Sequence, residues 1–348
     1  MQRAARAFWL RAPGRGEIRP VSLSVPDVGE VMVRTLYSGV SRGTETLVFR
    51  GEVPESQREA MRAPFQEGDF PGPVKYGYLN VGVVEQGPPS LLGRTVFCLY
   101  PHQTRYVVPA DAVTVVPDSV PPARAVLAGT VETAVNALWD AAPSLGDRIT
   151  VVGAGMVGCC VAALLARYPA ARVQLVDTDP TRAGVARALG AEFALPEEAA
   201  AARDLVVHTS ATEAGLARSL ELLAPDGEVL ELSWYGDRRV SLPLGESFHS
   251  RRLTVRSSQV GAVPPAHRSR RTFADRLALA LELLADPAFD VLLTERCAFE
   301  DLPRVMPGLA ENGPSALCRL VEYRTVEGED ESGTADEDRP GTGRPLGG

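Results

Sequence analysis

The sequence is poor in cysteine, and its cysteines show no regular spacing. Among 348 residues there are 5 cysteines, and none of them belongs to a CxxC pair: Cys98, Cys159, Cys160, Cys297 and Cys318. An odd, unpatterned set is typical of a protein from a reducing compartment. Cys159 and Cys160 fall on a predicted helix that needs small apolar residues, so packing accounts for them.

Long apolar runs and an excess of basic residues are also missing. No apolar stretch reaches the roughly 18 residues that a transmembrane helix needs, and the start, MQRAARAFWLRAPG, lacks the apolar segment of a signal peptide. The net charge of −8 argues against binding to nucleic acid or to an anionic membrane. We therefore expect a cytoplasmic protein with a small-molecule substrate.

The rest of the composition is that of an ordinary globular protein, with 45% hydrophobic and 23% charged residues. A chain of 348 residues has room for two domains, each with its own core. Part of the negative charge is concentrated in residues 326–338, which read VEGEDESGTADED, and Gly- and Pro-rich sequence follows them. We expect residues 325–348 to form a disordered acidic tail.

A glycine motif is the most informative pattern in the chain. The apolar run Ile149–Val152 leads into Gly153-Ala154-Gly155-Met156-Val157-Gly158, and a helical run of small and apolar residues follows. Asp177 stands 19 positions after Gly158, at the end of a second apolar run. A strand, a GxGxxG turn, a helix and an acid at this spacing predict a dinucleotide-binding unit.

Each part of the motif has a physical role in such a unit. Gly153 allows the tight turn, Gly155 lets a pyrophosphate approach the backbone, and Gly158 lets helix and strand pack closely. The free N–H groups at Met156, Val157 and Gly158 are expected to hold the phosphates. An acid at position 177 accepts hydrogen bonds from ribose hydroxyls and repels a 2′-phosphate, so we expect NAD, with NADP less favoured.

The pattern along the chain divides it into segments. Residues 1–125 predict short strands and turns, with a polar loop at Ser38–Glu45. Residues 126–262 begin with a helix and then alternate apolar strands with helices, which predicts a doubly wound parallel sheet in an α/β protein. The predicted strands are Ile149–Val152, Val173–Val176, Asp204–Val207, Glu228–Leu232 and Leu253–Arg256. Residues 263–324 are too few for a domain and are expected to rejoin the first segment.

This order of parts resembles the medium-chain dehydrogenase/reductase superfamily of zinc alcohol dehydrogenases. The resemblance extends to about Arg324 and includes Ala137-Leu138, Ala141 and Gly146-Asp147 before the glycine motif, the turn Gly87–Gly93 before VFCLY, and Leu302-Pro303. The segment Ser38–Glu45 and Gly77-Tyr78 look most like the bacteriochlorophyllide hydroxyethyl dehydrogenase branch. The resemblance implies a β-rich GroES-like domain, a Rossmann domain and a homodimer joined through Leu253–Ser257.

The sequence departs from the superfamily at the metal ligands. The first ligand, a cysteine in zinc members, matches Ser41, and the second, a histidine, matches Tyr78. The third matches Gly129, or Glu132 with a small shift of the alignment. Serine and tyrosine hydroxyls are poor zinc ligands beside thiolate and imidazole. The four-cysteine structural lobe is missing as well, so we expect no zinc.

Without a metal, the proton and the charge on the substrate oxygen must be handled by side chains. The candidates for this role are Tyr78, Lys75 and Glu45, followed by His102 and Glu132. Three of these residues also have a purely structural explanation. Lys75 could be solvated, Glu132 could cap a helix or pair locally, and His102 could be a loop histidine with its hydrogen bonds satisfied. The resemblance assigns Arg42 to the pyrophosphate and Thr133 to the nicotinamide. Ser210 and Ser233 follow predicted strands, at the sheet edge where such folds bind ligands.

Three functions remain open from the sequence. The first is a zinc-independent, NAD-linked oxidoreductase of an alcohol/carbonyl pair. The second is a reductase of an activated C=C bond, as in zinc-lacking quinone and enoyl reductases. The third is a nucleotide-binding relative without catalytic activity. Trp234, Tyr235, Phe248 and His249 could form an aromatic flank for the substrate, and Arg251-Arg252 could meet an anion, although exposure before a strand also explains these arginines.

Overall fold

The computed structural model describes residues 3–311 and 316–324, which form seventeen strands and eight helices. The predicted tail at residues 325–348 lies outside this part of the chain. Within the described residues, no helix combines the length and hydropathy needed to cross a membrane.

Two sheets form the β-rich part of the molecule. The first has the strand order β2-β1-β5-β4 and is antiparallel throughout. The second has seven strands in the order β16-β17-β3-β6-β7-β9, with β8 paired to β3. These strands are β1 (Arg3–Ala12), β2 (Arg15–Leu23), β3 (Glu30–Ser41), β4 (Glu67–Gly68), β5 (Val74–Lys75), β6 (Asn80–Gln86), β7 (Thr95–Cys98), β8 (Arg105–Pro109), β9 (Val113–Val115), β16 (Leu293–Ala298) and β17 (Cys318–Glu322). The C-terminal segment therefore contributes two strands to the N-terminal sheet.

The third sheet is parallel and has six strands in the order β12-β11-β10-β13-β14-β15. Its members are β10 (Arg148–Val152), β11 (Arg172–Val176), β12 (Glu192–Ala194), β13 (Arg203–His208), β14 (Leu223–Glu231) and β15 (Thr254–Ser257). Numbered within the sheet, the order is 3-2-1-4-5-6, which is that of a Rossmann fold. The predicted α/β class, with a GroES-like β-rich domain and a doubly wound Rossmann sheet, is confirmed.

The helices pack the parallel sheet and join it to the β-rich part. They are α1 (Arg42–Arg50), α2 (Pro122–Ala125), α3 (Ala128–Ala141), α4 (Met156–Leu165), α5 (Ala183–Ala188), α6 (Glu213–Leu222), α7 (Phe273–Leu283) and α8 (Leu302–Ala310). The small residues of α4 let it lie close to the sheet and to α3, and both helices belong to the largest buried apolar cluster. That cluster also contains Leu79 and Phe97 of the β-rich part, so one core crosses between the two parts.

Two local predictions from the sequence were wrong. Ser38–Glu45 is not a loop: β3 continues to Ser41 and α1 begins at Arg42. The extra strand residues pair with β17, where Ser41 lies opposite Cys318 and Ser38 opposite Val321. Because this partner comes from the far end of the chain, local sequence cannot show it. The short strand β12 was also missed, since three residues give too little alternation to recognise.

Candidate active site

The glycine motif forms a tight turn between β10 and α4, next to the point where the strand order reverses. A Cβ atom on Gly153 would lie 2.7 Å from the backbone nitrogen of Ser210, and one on Gly158 would lie 1.9 Å from the carbonyl oxygen of Gly153. Both positions therefore require glycine. Space is open around Gly155, and no side chain caps α4, which begins at Met156. The amides of Met156 and Val157 are thus available to an anion.

Asp177 ends β11 beside this turn. One carboxylate oxygen accepts a hydrogen bond from the Ala154 amide at 2.6 Å, and the other accepts one from the Asp179 amide at 2.9 Å. A carboxylate has about four acceptor positions, so both oxygens can still accept from a ligand. The nearby Arg182 is buried, and its Nε lies 3.5 Å from the carboxylate of Asp179. Its charge is therefore directed at Asp179.

Arg42 is the first residue of α1 and is half-buried. Within the described part of the chain its guanidinium has no hydrogen bond or ion pair, unlike most of the arginines around it. A cation that is partly desolvated without an internal partner is suited to binding an anionic ligand.

Tyr78 stands next to the start of α1. The side chains of Ser41 and Thr44 are close enough to hydrogen-bond its hydroxyl. Burial and the nearby Glu45 carboxylate raise the pKa of Tyr78 to about 12, and these two hydrogen bonds offset only part of that effect. The phenol is therefore neutral at physiological pH and can act as a hydrogen-bond donor.

A chain of buried polar groups extends from this point. Glu45 accepts a hydrogen bond from the Ser41 amide at 2.8 Å, and its other oxygen lies 2.9 Å from Nε2 of His102. Nδ1 of His102 lies 2.7 Å from the hydroxyl of Ser38, which lies 2.8 Å from that of Tyr323. Glu45 is 4% exposed and His102 is 1% exposed, so the two groups compensate each other inside the protein. His102 is thus a member of the site and not an isolated loop histidine.

The segment after β14 brings the parallel sheet to the same place. Trp234 and Tyr78 both pack on the apolar cluster that includes Leu47 and Phe70. A Cβ atom on Gly236 would lie 2.8 Å from the carbonyl oxygen of Glu52 and 2.9 Å from Leu47. The two halves of the molecule therefore meet beside Tyr78.

Comparison with known proteins adds to this picture. The sequence matches no protein-family model and no curated protein. Its structure is similar to that of L-idonate 5-dehydrogenase from Escherichia coli K-12 MG1655, with a TM-score of 0.76 and 14% identity over 93% of this chain and 99% of that one. It is also similar to 2R,3R-butanediol dehydrogenase from Bacillus subtilis, with a TM-score of 0.73 and 16% identity over 91% of this chain and 99% of that one. A third similar structure is the alcohol dehydrogenase TADH from Thermus sp. ATN1, with a TM-score of 0.69 and 20% identity over 92% of this chain and 100% of that one.

The chain has the fold of the medium-chain alcohol dehydrogenases. In this fold the resemblance places the metal ligands at Ser41, Tyr78, and Gly129 or Glu132. Across residues 3–311 and 316–324, no three His, Cys, Asp or Glu side chains are grouped so that they could hold a metal ion. Ser41 and Tyr78, which match the first two ligand positions, carry hydroxyl groups, which zinc binds poorly.

Glu132 is paired with Arg276 inside the protein. Its carboxylate lies 3.0 Å from Nε of Arg276 on α7, and both side chains are almost fully buried. Arg276 also contacts the side chain of Asn136 and donates to the carbonyl oxygen of Val260 at 2.6 Å. The pair holds α3, α7 and the segment after β15 together, which is the local pairing that the sequence left open.

Lys75 is not brought together with Tyr78 and Glu45. Its ammonium group is buried and contacts Glu67, Gln103 at 2.8 Å and Tyr100 at 3.3 Å. Burial lowers the pKa of Lys75, although Glu67 acts in the opposite direction. The lysine is therefore not solvated, which was the structural alternative for it. It is also not in contact with Tyr78 or Glu45, the other candidates for the proton transfer. Lys75 therefore has no part in the proposed mechanism.

The remaining predicted residues lie on the parallel sheet and on α3. The Thr133 hydroxyl donates to the Gly129 carbonyl within α3. Ser210 follows β13 and packs against Gly153, and the Ser233 hydroxyl accepts from the Ala211 amide at 3.1 Å. Between the two serines lie His208 and Glu231, which sequence reasoning missed. His208 directly follows the predicted strand Asp204–Val207, and Glu231 lies within the predicted strand Glu228–Leu232. A polar residue near the end of each apolar run was the one available indication.

Proposed function

We propose that this chain is a zinc-independent, NAD-linked oxidoreductase that transfers a hydride between the cofactor and an alcohol or carbonyl substrate. The observation that carries the proposal is the surroundings of Tyr78. A neutral phenol stands where zinc members of this fold are expected to have a metal ligand, with Ser41 and Thr44 at its hydroxyl and the Glu45–His102 pair nearby.

The residues around the glycine motif fit a dinucleotide. The open space at Gly155 and the uncapped amides at the start of α4 suit a pyrophosphate, and the unpaired guanidinium of Arg42 supplies positive charge. Thr133, Ser210 and Ser233 are further candidates for cofactor contacts. When bound, the cofactor supplies or accepts the hydride.

Two observations favour NAD over NADP. Asp177 keeps acceptor capacity for ribose hydroxyls, and Arg182, the first basic residue after it in the sequence, is directed at Asp179. Similar solved structures hold NADP in one case and NADH in another, so the fold itself accommodates both.

Tyr78 would handle the proton. In carbonyl reduction, its hydroxyl donates a hydrogen bond to the substrate oxygen and gives up the proton as the hydride arrives at carbon. The Ser41 and Thr44 hydroxyls then stabilise the phenolate, since hydrogen bonds to the charged form favour it. Glu45 is bonded to His102, and a line of buried hydrogen bonds continues from His102 through Ser38 to Tyr323.

The experiment that tests this function is the substitution Tyr78→Phe, which removes one hydroxyl and little volume. The turnover rate should fall roughly a hundredfold or more, the scale expected for losing a positioned acid–base group. NADH affinity and the unfolding midpoint should stay nearly unchanged, because the phosphates are held elsewhere. The measurements are steady-state kinetics with a panel of alcohols and carbonyls, NADH titration and thermal unfolding.

Tyr106→Phe is the matched control. Tyr106 is fully buried but stacks on Tyr100, with ring centroids 3.9 Å apart, in a different apolar cluster. This variant should retain wild-type turnover. If Tyr78→Phe also stays within a few-fold of wild type, the tyrosine only fills the pocket and the proposed proton donor is wrong.

Assays of the same purified protein distinguish the proposed function from the two alternatives. Turnover of enones without turnover of alcohols would assign a C=C reductase, and bound NADH that no substrate oxidises would assign a relative without activity. We also expect less than stoichiometric zinc by metal analysis and unchanged turnover after chelation. One zinc per chain with loss of turnover on chelation would contradict zinc independence.

A further inference from the structure

A buried hydrogen-bonded network at the carboxyl edge of the parallel sheet has no assigned role. Its centre is His208, the last residue of β13, which is fully buried. Nδ1 of His208 lies 2.7 Å from a carboxylate oxygen of Glu231, the residue directly opposite it in the sheet. Nε2 lies 2.7 Å from the hydroxyl of Ser210. Serine, histidine and acid are therefore joined in one line.

The hydrogen bonds around Glu231 fix the orientation of the imidazole. The carboxylate also accepts from the Ser233 amide at 2.7 Å and from the Tyr235 hydroxyl at 3.0 Å. Burial raises the pKa of Glu231, but His208 and Ser233 outweigh that effect and the net shift is downward. An ionised Glu231 can only accept, so Nδ1 of His208 carries a proton.

The other end of the network fixes Ser210. The hydroxyl of Thr212 accepts from the Gly215 amide at 3.0 Å and lies 2.8 Å from the hydroxyl of Ser210. A Cβ atom on Gly215 would lie 2.2 Å from Oγ of Ser210 and 2.9 Å from Nε2 of His208. Helix α6 can approach the serine this closely only because position 215 is glycine. The hydroxyl is thus held from two sides.

The position of Ser210 indicates what this arrangement serves. Its backbone packs against Gly153 at the point where the strand order reverses, which is where ligands bind in such sheets. Ser210 is half-buried, whereas His208 is fully buried, so the hydroxyl is the accessible end of the network. A dinucleotide on the glycine motif would therefore meet Ser210.

We propose that Ser210 forms a hydrogen bond with a ribose hydroxyl of the bound dinucleotide, and that His208, held by Glu231, is the positioning residue for Ser210. This inference rests on the proposed function. In the neutral imidazole, Ser210 donates to Nε2 of His208 and keeps a lone pair for the ligand. Fixing the hydroxyl before binding reduces the entropic cost of that contact.

A serine–histidine–acid line also occurs in acyl transfer, where two backbone amides must stabilise the oxyanion. Here the neighbouring amides of Ala211, Gly215 and Ser233 each donate to a side chain within the network. The structure therefore favours a ligand contact over a nucleophile.

The test is a double-mutant cycle on NADH affinity, measured by fluorescence titration of the full chain. Ser210→Ala and His208→Gln should each raise the Kd of NADH about threefold to tenfold, the range expected for one hydrogen bond. The double variant should be no weaker than the weaker single variant, because His208 acts through Ser210. Ser210→Thr, which keeps the hydroxyl, should restore most of the affinity.

Ser219→Ala is the control, since this buried serine on α6 donates to the Gly215 carbonyl and does not contact His208. It should leave the Kd unchanged. If His208→Gln does not fold, Ser210→Ala and Ser210→Thr still decide whether the hydroxyl contributes.

Three outcomes would overturn the proposal. An unchanged Kd of NADH in Ser210→Ala would show that Ser210 does not contact the ligand. If the fold-changes in Kd of the two single variants multiply in the double variant, His208 does not act through Ser210. Labelling of Ser210 by a fluorophosphonate probe would assign a serine nucleophile instead. Absence of NADH binding by the wild type would contradict the proposed function itself. This result is distinguished from a failure of the Ser210 proposal because it is seen in the wild type, before any substitution is made.

Discussion

Charged groups that are buried or half-buried in this molecule are held by hydrogen-bonding partners from other parts of the chain. Glu45 on α1 meets His102, and Asp177 at the end of β11 accepts two backbone amides. An unpaired buried charge costs several kcal/mol, so such groups persist only with partners or with a ligand to meet. Arg42 has no internal partner in the described residues, and for this reason its charge is available to a phosphate.

We expect Asp177 to set the preference between NAD and NADP. We expect NADH to bind at least tenfold more tightly than NADPH, because the carboxylate would lose its ribose bonds and face a phosphate dianion. Asp177→Ala should reduce the preference for NADH over NADPH, mainly by weakening the binding of NADH. Calorimetric titration of both cofactors measures the effect, and equal affinities in the wild type would contradict it.

Between elements, the Glu132–Arg276 pair joins α3 to α7 and to the segment after β15. Arg276 is 1% exposed and Glu132 is 5% exposed. Removing one partner leaves a buried charge without compensation, which costs about 3–5 kcal/mol. The pair therefore stabilises the arrangement of the helices, although replacing both residues with apolar ones could be nearly neutral.

Glu132→Ala should therefore lower the free energy of unfolding by about 3 kcal/mol, measured by urea denaturation. Asp301→Ala removes an exposed pair with Arg304 at 3.0 Å and should cost less than about 1 kcal/mol. Equal effects of the two substitutions would show that the buried pair contributes no more than a surface one.

Strand β15 is an edge of the parallel sheet, and one side of Thr254–Ser257 has no partner strand within the described residues. Edge strands commonly pair with a second copy, so we expect a homodimer. Val255 is 38% exposed, and Val255→Lys should disfavour pairing and yield a monomer by light scattering. Leu145→Lys, at an exposed apolar residue elsewhere, should stay dimeric. A monomeric wild type at micromolar concentration would contradict this prediction.

At the scale of the whole molecule, we expect buried phenols and thiols to set the alkaline limit of stability. Burial raises the pKa of Tyr76, Tyr78, Tyr106 and Tyr323, and it does the same for the thiols of Cys98, Cys159 and Cys318. The folded state therefore holds these protons more tightly than the unfolded chain.

Because the folded pKa values are raised, their contribution to stability is complete below the unfolded values of about 8.5 for Cys and 10 for Tyr, and is lost as the pH rises above them. Urea midpoints should fall from about pH 9 upward, and tyrosinate absorbance should appear together with unfolding. Titration of most tyrosines near pH 10 in the folded protein, without loss of structure, would contradict this expectation.

The sequence by itself determined five of the six strands of the parallel sheet. The five predicted strands all exist within about two residues at most boundaries, except that β14 begins earlier, at Leu223. The reason is physical: strands buried on both faces are continuous apolar runs, and the glycine motif needs glycine for steric reasons that are local. The placement of Gly153, Gly158 and Asp177 around one turn followed from the same local pattern.

Only the tertiary structure decided which side chains meet. Ser41 stays in β3 because β17, from the far end of the chain, pairs with it, and Lys75 turns to Glu67 and Gln103 because β5 pairs with β4. His208 and Glu231 face each other because β13 and β14 are neighbours in register. Contacts of this kind depend on strand order and register, which are set by the packing of the whole chain and not by any window of its sequence.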